Sequence, residues 1–146
     1  MVKIIISGHG EISTGIMSAV KMIFGENEDV VAVPFTKGEG LEDIKKHYGE
    51  VLKKYPAGSQ FLFLVDLFGG SPYNAAIQLA YGNKNIDIVT GVNLPMVLEA
   101  LGMAQVSSLD EIIEHLKETN LESFKVFSEQ TKKLAGKEDN EEDDLL

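Results

Sequence analysis

The chain has 146 residues, of which 44% are apolar and 25% charged, proportions that fit one globular domain with a proper hydrophobic core. It contains no cysteine, which excludes a disulfide framework, a zinc–thiolate site and a cysteine nucleophile. The net charge of −10 argues against nucleic-acid binding, and the last ten residues, 137–146, with six acids and one Lys, read as flexible solvating sequence.

Met1-Val2-Lys3 leads straight into a strand-like run, without the pattern of a signal peptide, and no apolar run approaches the ~20 residues of a membrane span, so a cytoplasmic location is expected. Val2 to Ser7 is a short β-branched run suited to a buried strand, stopped by Gly8-His9-Gly10. Apolar residues at Ile16, Met17, Val20 and Ile23 predict a helix from Ser13 to Phe24, with Gly25 as its stop. Val30 to Val33 is a second strand, and Leu41, Ile44, Tyr48, Val51 and Leu52 mark the apolar face of the next helix. Gln60 to Val65 is the most apolar strand and ends at Asp66. Leu67 to Ser71 read as a loop, with Ser71 as N-cap and Pro72 as first helical residue.

Ile86 to Val89 is a fourth strand, followed by a helix around Met96, Val97 and Leu101 and another over Leu109 to Lys117, capped by Ser107 or Ser108. Thr119-Asn120 is expected to break that helix, and Ser123 to Phe127 reads as a last strand or more helix. Strands apolar on both faces, alternating with helices, predict a doubly wound α/β domain whose four strands form a parallel sheet.

In such a sheet the active crevice lies outside the carboxyl ends of the strands. His9 and Asp66 both stand there, and they meet if their strands are neighbours. A carboxylate on one imidazole nitrogen fixes the tautomer and leaves the other as a nucleophile toward a phosphoryl group. Gly8 and Gly10 leave room around the ring, the helix near Ser13-Thr14 points its N-terminus at the loop, and Gly69-Gly70-Ser71-Pro72 offers free amides at a second helix start. The blander readings are a solvated loop histidine, an Asp that caps a turn and an ordinary helix start; the shared placement at strand ends weighs against all three. His47, among Lys45, Lys46, Lys53 and Lys54, and His115, beside Glu114 and Glu118, read as solvated face residues. Gly8, Gly10 and Gly15 are misplaced for a dinucleotide fingerprint, and no P-loop motif occurs.

Three stretches resemble a known family: Gly8-His9-Gly10 after the first strand, Phe63-Leu64-Val65-Asp66-Leu67-Phe68-Gly69-Gly70-Ser71-Pro72-Tyr73-Asn74-Ala75-Ala76, and Gly91-Val92-Asn93-Leu94-Pro95-Met96. The sequence is similar to the IIA component of the mannose-type phosphoenolpyruvate-dependent sugar phosphotransferase system over residues 1–130, leaving 131–146 as an acidic tail. The resemblance implies that His9 is phosphorylated by the carrier protein HPr and passes the group to a histidine on the IIB component, which serves the membrane subunits IIC and IID. It implies that Asp66 binds the ring's δ nitrogen and that Ser71 lies near the phosphate. Gly69, Gly70, Gly10 and Thr14, read from the glycines and the two helix starts beside the ring, complete the expected phosphate-binding set. It implies a homodimer exchanging a fifth, antiparallel edge strand, a role for Ser123 to Phe127 that would cover a sheet edge. No metal or cofactor is expected, and the chain's end at an acidic tail makes a separate IIB protein the expectation.

The nearest rival is the phosphoryl donor subunit of a dihydroxyacetone kinase, whose loop after the third strand resembles Asp-x-Gly-Ser rather than Gly-Gly-Ser-Pro. A response-regulator-like module phosphorylated on Asp66 wants paired acids after the first strand to hold Mg²⁺, where this chain has Ser7-Gly8-His9-Gly10. A phosphate- or nucleotide-binding module would bind ligand without covalent change.

Overall fold

The computed structural model describes the backbone of residues 1–145 and the side chains of residues 1–136; the expected flexible stretch 137–146 lies outside the residues whose side chains are described. Four β-branched or aromatic runs form the strands β1 (Val2–His9), β2 (Val30–Phe35), β3 (Gln60–Val65) and β4 (Ile86–Thr90). Between and after them lie α1 (Ile12–Phe24), α2 (Leu41–Leu52), α3 (Ser71–Ala80), α4 (Leu94–Met103), α5 (Leu109–Ser123) and α6 (Phe127–Leu145). The sheet is parallel throughout, in the order β2-β1-β3-β4.

Alternation along each strand explains the two cores. Ile4 and Ile6 of β1, with Leu62 and Leu64 of β3, face one side, where α1, α4 and α5 supply Val20, Val97, Leu101, Ile112 and Leu116. Ile5 of β1, with Phe63 and Val65 of β3, faces the other, where α2 and α3 supply Ile44, Tyr48, Ala75 and Ala76. Both faces of the central strands are therefore apolar, as a covered parallel sheet requires. The hydroxyl of Ser7 is buried on the α2/α3 side and bonded there.

The strand order creates a switch point. From β1 the chain moves outward through α1 to β2, whereas from β3 it moves the opposite way through α3 to β4. The crevice between the carboxyl ends of β1 and β3 is where a ligand or reacting group is expected.

Several elements differ from the sequence expectation. β1 continues through Gly8 and His9, because His9 stays in register with Phe35 of β2; His9 is thus the last strand residue rather than part of a loop. β2 carries Pro34, which costs nothing because β2 is an edge strand. Gly70, not Ser71, is the N-cap of α3, so Ser71 is its first residue and Pro72 its second. Thr119-Asn120 does not break α5, since the Thr119 hydroxyl folds back onto the His115 carbonyl at 3.0 Å. Ser123 closes α5 and Phe127 opens α6, so the segment expected as a fifth strand is not one in the single chain; a lone extended segment has no ladder to hold it. Ser108 caps α5 as expected, accepting from the Glu111 amide at 3.2 Å.

Candidate active site

The pairing of Ser7 with Val65 places the next residues of β1 and β3 side by side. Asp66 follows β3 directly, and His9 ends β1. Asp66 Oδ2 accepts from the His9 backbone amide at 2.9 Å and lies 2.9 Å from the ring nitrogen Nδ1. An ionised carboxylate only accepts, so Nδ1 carries the proton and Nε2 is left with a lone pair. The double contact fixes both the backbone and the ring of His9. The His9 side chain is 48% exposed and that of Asp66 only 13%, so the imidazole faces outward while the carboxylate that orients it is sheltered. Phe35 of β2 braces the ring edge-on, with centroids 5.7 Å apart.

The other side of the imidazole meets the start of α3. A side chain at Gly70 would place its Cβ 2.9 Å from His9 Cε1 and 3.5 Å from Nε2, so this backbone abuts the ring. The first intrahelical bond of α3 runs from the Asn74 amide to the Gly70 carbonyl at 2.8 Å, which leaves the Ser71 and Tyr73 amides ahead of it without an intrahelical acceptor. Pro72 has no amide to satisfy. Free amides and the positive end of a helix beside an unblocked Nε2 make a setting for a phosphoryl group. The Asn74 side chain donates to the Gly69 carbonyl at 3.0 Å and ties the turn before α3 to its first helical turn.

The predicted residues do not all converge. His9, Asp66, Gly70 and Ser71 meet at the switch point. Gly69 shapes the turn, at φ +83°, where only glycine is unstrained. Gly10 also turns, at φ +60°, but its amide is already donated to the Phe35 carbonyl at 2.8 Å. The Thr14 hydroxyl is committed to the Glu11 carbonyl at 3.1 Å, and Thr14 lines a groove between α1 and the edge of β2. At Gly8 a Cβ would strike Ile12 Cγ2 at 2.5 Å and Asp66 Cγ at 2.7 Å, so the bare glycine admits the carboxylate that meets His9.

His47, expected to be merely solvated, lies 2.7 Å from Glu39 Oε2 through Nε2. The same carboxylate accepts from the Thr36 amide at 2.7 Å and its hydroxyl at 2.6 Å. These bonds, the Thr36 hydroxyl first, hold the Glu39 carboxyl down at about 2, although burial opposes them. His115 is exposed, its Nδ1 3.8 Å from Glu99. One residue beneath the site gave no signal in the sequence: Tyr48 reads as one more apolar-face residue, because the partners of its hydroxyl, Ser7 and Pro72, lie far away in the chain.

Residues 3–117 match the model of the family EIIA-man, described as the PTS system fructose IIA component. The chain is 40% identical over 146 residues to the fructose-specific EIIA component of the PTS in Bacillus subtilis, covering 99% of this chain and 100% of that one. It is 35% identical over 126 residues to the mannose-specific EIIAB component of Escherichia coli, covering 85% of this chain and 39% of that longer relative. The crystal structure of an EIIA phosphotransferase component from Streptococcus agalactiae superposes with a TM-score of 0.79 at 30% identity, over 88% of this chain and 98% of the other. The chain belongs to the mannose-type EIIA family, components of the sugar phosphotransferase system.

Proposed function

We propose that the protein is a phosphoryl carrier in which His9 Nε2 takes a phosphoryl group from the phosphohistidine of HPr and passes it to a histidine of a IIB component during sugar uptake. The observation that carries this reading is the 2.9 Å contact of Asp66 Oδ2 with Nδ1, which frees Nε2 beside the N-terminus of α3. In each transfer the P–N bond of the donor breaks as the P–N bond of the acceptor forms. The Nδ1 proton stays on the ring, and Asp66 balances the charge the phosphorylated imidazole gains. Ser71 and Tyr73 amides, with the Ser71 hydroxyl, serve the phosphoryl oxygens, while Gly69 and Gly70 let them approach.

Half-exposure of His9 suits a partner that is itself a protein. Leu67 and Phe68, the latter 74% exposed, extend an apolar rim from the loop after β3, and Ile12 and Phe35 continue it on the other side of the ring. Among the described residues no helix is long and apolar enough to cross a membrane, which fits a carrier working in the cytoplasm and reaching the IIC and IID subunits through IIB. The working unit is a homodimer formed through the exposed segment after α5. An Asp66 phosphoacceptor is disfavoured, because Oδ2 already holds two bonds and Oδ1 is buried.

Phosphoenolpyruvate, enzyme I and HPr are expected to add one phosphoryl mass, lost on acidification as phosphohistidine is. His9→Ala is expected to abolish the addition. A stable adduct in His9→Ala, or one that survives acid, would falsify the assignment.

A further inference from the structure

Below the His9–Asp66 pair lies a buried pair of hydroxyls that the transfer itself does not use. Ser7 and Tyr48 are both fully buried. Ser7 Oγ donates to the Val33 carbonyl of β2 at 2.7 Å. Tyr48 Oη lies 2.7 Å from Ser7 Oγ and 3.0 Å from the Pro72 carbonyl of α3. The Tyr48 ring packs edge-on against Phe63, with centroids 4.9 Å apart. A phenylalanine would fill that space equally, so what distinguishes tyrosine here is its single proton and where it goes. With Ser7 donating to Val33, the Tyr48 proton is shared between Ser7 and the Pro72 carbonyl. Burial, with the negative charge of Asp66 adding to it, holds the phenol above the ordinary tyrosine value, against the opposing pull of its Ser7 bond, so the donor persists across the neutral range.

The position of this hydroxyl gives it leverage. Ser7 is two residues before His9 on β1 and in register with Val65, the residue before Asp66. Pro72 lies in the first turn of α3, two residues past the Gly70 backbone that abuts the imidazole. One hydroxyl therefore touches both the strand that carries the nucleophile and the helix whose N-terminus faces it. We infer that Tyr48 is a positioning residue for phosphoryl transfer, its hydroxyl clamping the first turn of α3 to β1 and so setting the distance between the helix N-terminus and the His9 imidazole. This rests on the carrier role of His9 proposed above.

The test uses the full chain and Tyr48→Phe, which keeps the ring and deletes the clamp. Two rates are read below the thermal midpoint: phosphorylation of His9 by HPr, and spontaneous hydrolysis of the phosphorylated chain. Displacement of a positioning element by a fraction of an ångström is expected to slow phosphorylation about tenfold and to change hydrolysis about threefold or more. The pH profile of transfer is expected to keep its midpoint. Both rates within about twofold of the unaltered protein, with only the thermal midpoint lowered, would make the hydroxyl a core bond alone and overturn the inference. Should Tyr48→Phe not fold, Ser7→Ala cuts the β1 end of the chain and is expected to slow transfer in the same direction; unchanged rates there also overturn it. The clamp is read separately, without any donor, from the His9 Cε1 proton resonance, expected to shift in Tyr48→Phe; an unmoved resonance rejects the clamp. An unaltered protein that takes no phosphoryl group instead rejects the role of His9, and the transfer role of Tyr48 falls with it.

Discussion

The chemistry of this site is set by which nitrogen of one imidazole is occupied. Asp66 Oδ2 takes both the backbone and the Nδ1 protons of His9, so the ring can neither flip nor change tautomer without losing a bond. Asp66→Asn keeps the size and removes the charge. It is expected to slow phosphorylation by about 10²-fold or more, measured as single-turnover transfer from HPr, with the fold unchanged by circular dichroism. Gly70→Ala makes a different demand. Its backbone angles, φ −77° and ψ 171°, are open to alanine, so the chain itself is not strained. The new methyl group meets His9 Cε1 at 2.9 Å, and the half-exposed ring is what yields. The expected outcome is transfer slowed about tenfold or more while stability changes by less than about 1 kcal/mol in urea unfolding. Equal losses of stability and rate would show that the loop, not the ring, had moved. The sequence made His9, Asp66 and the Gly-Gly-Ser-Pro turn visible, because histidine and aspartate at strand ends have few structural reasons to be there. It did not reveal the second demand on Gly8, since nothing local shows that the space it leaves also admits the Asp66 carboxylate from the next strand of the sheet.

At the level of elements, local pattern was informative where a segment's own residues decide its structure. The strands and α2 follow from apolar periodicity, and the start of α5 from the serine pair of which Ser108 is the cap. Pattern was uninformative where a neighbour decides. β1 runs on through Gly8 and His9 because β2 offers a partner, and α5 passes Thr119-Asn120 because a helix already formed tolerates them. The turn after β2 shows another such dependence. Glu39 clasps Thr36 in its own turn and His47 on α2, next to Phe35 that braces His9. Its carboxyl is lowered from its ordinary 4.5 to about 2, by Thr36 first and His47 after it. A carboxyl lowered on folding stabilises the native state above its unfolded value and stops doing so as pH falls through its folded value. Stability supplied by Glu39 is therefore expected to be intact above about pH 4.5 and lost progressively toward pH 2. In acid titrations of urea midpoints, Glu39→Gln is expected to be weaker than the unaltered protein at pH 6 and to converge with it near pH 2. Parallel curves would show that the clasp carries no linkage.

At the scale of the molecule, the two ends of the sheet do different work. The amino ends of the strands are tied by Asp29, nearly buried, which bonds Lys3 on β1 and Gln105 after α4, while the Lys3 ammonium lies over the Tyr55 ring. Asp29→Ala leaves a sheltered lysine without its counter-charge and is expected to cost about 3 kcal/mol in denaturant unfolding, with little effect on transfer at the opposite edge. That separation lets the carboxyl edge stay open for partners, and it follows from strand order, which no local stretch of sequence encodes.

Past α5 the molecule leaves apolar surface uncovered. Phe124 and Phe127 are 79% and 82% exposed, with Leu121 and Leu134 also exposed to either side of them. Pro95 and Asn93 at the start of α4 join Asn120, Leu121, Ser123 and Phe124 around one groove there. A cluster of this kind is costly for a monomer in water and typical of a surface that another chain covers. A second copy is the occupant in the proposed carrier. Light scattering is then expected to give the mass of two chains, and Phe124→Asp combined with Phe127→Asp to give the mass of one. Neither side chain contributes to the cores on the two faces of the sheet, so the double variant is expected to keep its thermal transition as a folded monomer. A double variant that remains two chains would place the contact elsewhere, and an unaltered chain already single at micromolar concentration would leave these phenylalanines to a different protein.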